Sequence, residues 1–77
     1  MLRGQFAPAL TNLGNMLLEE ERIDEAIVMY ERALLADDAY ANAYRGLGVA
    51  YKRQGKTAEA VRMLRKADRP LRRGRFF

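Results

Sequence analysis

Ala7-Pro8-Ala9-Leu10-Thr11-Asn12-Leu13-Gly14 and Ala41-Asn42-Ala43-Tyr44-Arg45-Gly46-Leu47-Gly48 are one motif written twice, 34 residues apart. The two alanines and the Leu-Gly pair coincide, and Leu10 meets Tyr44. The register holds further out. Glu25/Glu59, Ala26/Ala60, Met29/Met63 and Ala33/Ala67 coincide at the same offset. Arg22/Lys56, Ile27/Val61 and Arg32/Lys66 are near-matches. A fixed period in this range predicts stacked supersecondary units, each unable to bury its apolar face alone. Such stacks present a surface to a partner rather than enclose a catalytic pocket.

The apolar spacing predicts four helices. The first covers residues 8–20, with Pro8 in its first turn and Leu10, Leu13, Met16 and Leu17 at helical spacing. The second covers 24–36, opened by Asp24 and Glu25, whose charges complement the helix dipole. Its inner stripe is Ala26, Ile27, Tyr30, Ala33 and Leu34, and Asp37-Asp38 breaks the run. The third covers 41–54, with Gly55 placed as a left-handed cap. The fourth opens near Thr57, read as an N-cap, and ends before Pro70. Short loops make neighbouring helices antiparallel. The expected fold is all-α, four antiparallel helices in two helix–turn–helix units and a basic C-terminal tail.

Small residues predict how each unit closes. Gly14 is expected to face Ala26, and Gly48 to face Ala60, so that two backbones approach closely. Leu13, Tyr30, Leu47 and Leu64 would fill the flanks. A mid-helix Gly costs about 1 kcal/mol relative to Ala, so its presence in both units asks for a packing reason.

Composition narrows the function classes. The chain has 77 residues, one domain at most, with neither Cys nor His. Disulfides and thiolate metal sites are ruled out, and the commonest general base and metal ligand are missing. No apolar run reaches the length of a membrane span, and the first residues do not read as a signal peptide. A cytoplasmic protein is expected, with no cofactor and no catalytic activity. The net charge of +4 hides a split. Residues 1–38 hold eight acids and three bases, net −5, whereas 39–77 hold eleven bases and two acids, net +9. Such a split lets opposite ends attract each other or different partners.

The residues resemble the tetratricopeptide repeat family, whose unit is a 34-residue helix–turn–helix. The second unit supplies Tyr44, Leu47, Gly48, Tyr51, Ala60, Leu64 and Ala67 at the family's signature positions. The first supplies Leu10, Leu13, Gly14, Leu17, Ala26, Tyr30 and Ala33. The units are read as 7–40 and a truncated 41–70, followed by the tail 71–77. Departures include Glu21 where a turn Gly is usual and Asp38 where a Pro is usual.

The resemblance implies a concave groove lined by the first helix of each unit. Its groove positions fall on Thr11, Asn12, Asn15 and Glu19, then Asn42, Arg45, Val49, Lys52 and Arg53. Asn amides bond a peptide backbone both ways, and Arg takes carboxylates bidentately. Some family members clamp a C-terminal carboxylate with Lys and Asn. Asn15 matches that set, but Thr11 and Val49 stand where Lys and Asn are needed. A looser basic groove for acidic peptides fits better.

Other residues offer less. Glu19-Glu20-Glu21 diverge by about 100° per residue along a helix and do not converge on one point. Tyr30, Tyr44 and Tyr51 sit at repeat positions that read as core rather than as a stacking platform. The tail carries Arg72, Arg73 and Arg75 with Phe76 and Phe77, a set that could hold RNA by phosphate contact and stacking, or fold back as a cap. The expectation is a protein-interaction module whose partner is a protein or acidic peptide. A polyanion binder acting through the tail, and a unit that associates with itself, are the alternatives.

Overall fold

The computed structural model describes residues 6–68 and builds them into four α-helices. They are α1 (Phe6–Glu19), α2 (Ile23–Ala36), α3 (Ala41–Arg53) and α4 (Thr57–Asp68). α1 packs on α2 and α3 on α4, giving two antiparallel hairpins. Between the hairpins α3 touches both α1 and α2, whereas α4 touches only α3 among the described helices. The groove-forming helices α1 and α3 are therefore neighbours.

Both hairpins turn in the same way. Glu21 N–H donates to the Leu18 carbonyl and Arg22 N–H to the Leu17 carbonyl, at 3.0 and 2.9 Å. Gly55 N–H donates to Lys52 and Lys56 N–H to Tyr51, again at 3.0 and 2.9 Å. These are matched Schellman caps, whose crossed bonds satisfy orphan carbonyls at a helix end. The cap needs one left-handed residue. Gly55 has φ +82° and Glu21 has φ +66°. Gly55 is the predicted cap, and Glu21 takes the same conformation with a Cβ in the way.

Between the hairpins, Asp37 Oδ1 accepts the Ala39 N–H at 3.1 Å, and the Tyr44 hydroxyl donates to the Asp38 carbonyl at 2.9 Å. The two aspartates thus close the interhairpin turn. Five helix boundaries differ from expectation by a residue or two. α1 ends at Glu19, α2 begins at Ile23 and α3 ends at Arg53. α1 begins at Phe6 rather than at residue 8, and Thr57 is the first residue of α4 rather than its cap. Helix ends routinely shift by this much.

The core is built from small residues around one large one. Tyr30 is fully buried and packs with Leu18, Ala26, Leu47 and Ala50. A second cluster joins Ala7, Ala33 and Ala43. Burying a ring of this size contributes about 2–3 kcal/mol.

The glycine pairing differs between the hairpins. A Cβ on Gly48 would lie 2.7 Å from the Leu64 side chain and 3.3 Å from the Ala60 carbonyl, as the Gly48–Ala60 pairing expects. A Cβ on Gly14 would instead lie 2.7 Å from the Tyr30 ring. The group that Gly14 most closely makes room for is the Tyr30 ring rather than Ala26. Tyr30 follows Ala26 by one turn on the same face, and helical side chains lean back over the preceding turn. Leu64 flanks Gly48 as expected, although Leu13 and Leu64 each remain 41 % exposed.

Candidate functional site

A depression of about 240 Å³ runs between α1 and α3. Its floor is Leu18, Tyr30 and Gly46, all buried, together with Thr11. Asn12 and Asn15 of α1 form one wall; Asn42, Arg45 and Val49 of α3 form the other, with Tyr40 at its mouth. Helical spacing explains the set. Thr11, Asn15 and Leu18 recur at three- and four-residue steps, as do Asn42, Arg45, Gly46 and Val49.

Hydrogen bonding gives the groove a polarity. The Tyr30 hydroxyl donates to Asn15 Oδ1 at 2.6 Å. That bond occupies the amide's oxygen and leaves its N–H donors free to turn outward. The Thr11 hydroxyl is buried and has no partner among the described residues. Among the described residues Arg45 is the one charged residue in the lining, and no acid lines it. Burial pushes the Tyr30 phenol above its usual pKa, against a smaller downward pull from the Arg53 charge. The phenol is therefore a neutral donor at physiological pH.

Six of the positions implied by the resemblance meet here: Thr11, Asn12, Asn15, Asn42, Arg45 and Val49, with Thr11 in the floor. Glu19, Lys52 and Arg53 do not line the depression. Arg53 reaches back across the hairpins, donating to the Leu18 carbonyl at 3.4 Å and to the Glu21 carboxylate at 3.5 Å. Its role is to tie the second hairpin to the first turn. Leu18, Tyr30, Tyr40 and Gly46 line the groove without having been expected there. Tyr40 precedes α3 and falls in a turn, where helical spacing has no reach. The tail residues Arg72, Arg73, Arg75, Phe76 and Phe77 lie outside the described residues.

A larger depression, about 410 Å³, lies at the first turn between Glu21, Asp24, Glu25 and Gln54. Its polar groups already satisfy one another. Arg22 donates twice to Glu25, at 2.7 and 3.0 Å, and once to Glu20 at 3.2 Å. Those bonds hold the Glu25 carboxyl below its usual range. Gln54 donates to Asp24 at 2.9 Å. Size favours this depression, but unsatisfied donors favour the groove. Among the described residues no cluster of acids, His or Cys could hold a metal ion. No described helix is long and apolar enough to cross a membrane.

Two stacked hairpins with a groove along their first helices define a helical-hairpin repeat protein. The model of the tetratricopeptide repeat family matches residues 5–67, and the chain belongs to that family. No curated protein sequence and no solved structure matches the chain. The family is one of protein-interaction modules, typically non-catalytic scaffolds.

Proposed function

We propose that the chain binds a carboxylate-bearing peptide or protein segment in the groove between α1 and α3. The observation that carries this is the makeup of the lining: amide, hydroxyl and guanidinium donors with no acid among them. Carbonyl oxygens along an extended peptide would meet Asn12, Asn15 and Asn42. An Asp or Glu side chain, or a terminal carboxylate, would meet Arg45, with the bidentate geometry that Arg allows. Val49 and the Tyr40 ring supply apolar contact beside it. This is a looser site than a Lys-based carboxylate clamp, because Thr11 and Val49 replace the cationic and amide groups such a clamp uses.

The test is titration of the full chain with a fluorescent acidic peptide and with its amide-neutral counterpart. Arg45→Glu should weaken binding of the acidic peptide at least about tenfold, since truncating a paired charge typically costs several kcal/mol. Lys52→Glu changes net charge equally but lies outside the groove lining, so it should have a much smaller effect. Equal losses for the two variants would mean non-specific attraction. If only removal of Arg72, Arg73 and Arg75 abolishes binding, and binding falls steeply with salt, the tail and a polyanion are the correct reading.

A further inference from the structure

Adding 34 to a residue number carries each position of the first hairpin onto its counterpart in the second. Applied to the buried joint between the hairpins, the shift lands on exposed residues at the two ends of the described helical stack. Leu47 and Ala50 are 3 % and 0 % exposed in the joint, whereas their counterparts Leu13 and Met16 on α1 are 41 % and 57 % exposed. Tyr30 is 0 % exposed, whereas its counterpart Leu64 on α4 is 41 % exposed. Ile27 packs against the core, and its counterpart Val61 is exposed. Each end carries the half-joint that the other end lacks.

The two half-joints also fit in size and charge. In the joint the large Tyr30 ring sits against Gly46. Between copies, the smaller Leu64 would sit against Asn12, the counterpart of Gly46. One side chain shrinks where the other grows. In the joint, Arg53 reaches the Leu18 carbonyl and Glu21, and Gln54 reaches Asp24. The counterparts of Arg53 and Gln54 are Glu19 and Glu20, whereas those of their partners Glu21 and Asp24 are Gly55 and Ala58, so these bonds are not repeated between copies. The charge match is regional: a copy-to-copy joint brings the acidic end of α1 to the turn that carries Lys52 and Lys56. A two-fold dimer would set like charges against like.

We propose that copies of this chain associate head to tail, the α1 end of one seated on the α4 end of the next, repeating the internal joint between molecules. Stacking of repeats buries apolar surface in this way within a longer array. The contact is heterologous, so association does not stop at a dimer.

Sedimentation velocity of the full chain, from micromolar to millimolar, tests this. A rising series of sizes is expected at about 0.01 M salt, where the screening length is about 30 Å, and smaller species at about 1 M, where it is about 3 Å. Met16→Glu blocks one end and Leu64→Glu the other. Each alone should be monomeric, with helix content unchanged because both sites are exposed. Mixed, they should form a 1:1 dimer and nothing larger, since one open end of each kind remains. Should either variant lose helix content, Glu19→Lys serves instead, with association weakened about tenfold at low salt only. A monomeric parent overturns the proposal. A mixture that stays monomeric, or a single variant that associates like the parent, overturns it equally.

Discussion

Gly46 lies directly against the ring of Tyr30, leaving no room for a side chain. Gly14 meets the same ring from the other hairpin. One aromatic residue of α2 thus fits between a glycine of α1 and a glycine of α3. This contact brings α1 and α3 together and sets the floor of the groove. It also places the Tyr30 hydroxyl where it holds Asn15.

Gly46→Ala is expected to destabilise the chain despite a better helix propensity. Propensity favours Ala by about 1 kcal/mol, whereas forcing a methyl into a packed core costs about 1–3 kcal/mol. Tyr30 is fully buried and has nowhere to withdraw. A net loss of about 1 kcal/mol would lower Tm by roughly 4–8 °C in a chain this size. Gly48→Ala provides the contrast. Its new methyl meets chiefly the Leu64 side chain, which is exposed and can swing aside, and lies 3.3 Å from the Ala60 carbonyl, which need shift only slightly. Thermal melts should therefore leave Gly48→Ala closer to the parent than Gly46→Ala. Equal melting of the two variants would show that the Tyr30 fit does not limit this site.

The paired Schellman caps set up a second prediction. Glu21 adopts a left-handed conformation that costs a non-glycine residue about 1 kcal/mol, and its only described side-chain bond is a long, exposed one to Arg53. Glu21→Gly should stabilise the chain by roughly 0.5–1 kcal/mol after the extra flexibility of the unfolded chain is set against it. Gly55→Ala should destabilise it by a similar amount, although nothing crowds the position. Denaturant midpoints measure both. Opposite signs are required, and a destabilised Glu21→Gly would mean that the bond to Arg53 outweighs the strain.

These two cases show what was legible in the sequence. The 34-residue offset exposed the recurring unit and paired Gly14 with Gly48, the apolar spacing gave the four helices and Gly55 as a cap, and the family resemblance marked Glu21 as the residue in glycine's place. The offset hid what differs between the hairpins. Gly46 answers to Asn12 and Tyr30 to Leu64, so the offset gave no sign that Gly46 and Tyr30 belong together. For the same reason the offset puts one small-to-small pairing into both hairpins, whereas the atoms nearest Gly14 are those of Tyr30 rather than Ala26. At the groove, the expected positions reached the residues on the inner faces of α1 and α3. Arg53 points instead to the first turn, where it adds a second bond to the capped Leu18 carbonyl that only the folded chain brings near.

Tyr30→Phe tests the hydroxyl that orders Asn15. Losing the bond should cost about 1 kcal/mol at neutral pH. The pH dependence carries its own sign. Burial raises the phenol's pKa in the folded chain above the usual value of about 10, so the fold favours the neutral form. That contribution is fully present below about pH 10 and is lost as pH rises through the folded-state value. The stability gap between the parent and Tyr30→Phe should therefore narrow in alkali. Tyr51 is also raised by burial, but it titrates in both proteins and cancels in the difference. A gap that stays constant to high pH would place the hydroxyl in water rather than against Asn15.

Thr11 gives the last prediction, which joins stability to function. Its hydroxyl is buried in the groove floor without a partner among the described residues. An unpaired buried hydroxyl costs about 1–3 kcal/mol, and replacing it with an apolar group of the same shape removes that cost. Thr11→Val should therefore raise stability by about 1 kcal/mol. If a peptide carbonyl or carboxylate takes that hydroxyl when the groove is filled, the same variant should bind an acidic peptide more weakly. Stability that costs activity is the usual mark of a strained functional position. Melting and peptide titration on one preparation separate the possibilities. Higher stability with unchanged affinity means that the ligand does not reach the floor. Lower stability means that the hydroxyl is bonded after all, most simply to the carbonyl one turn earlier at Ala7, as helical Thr residues often are.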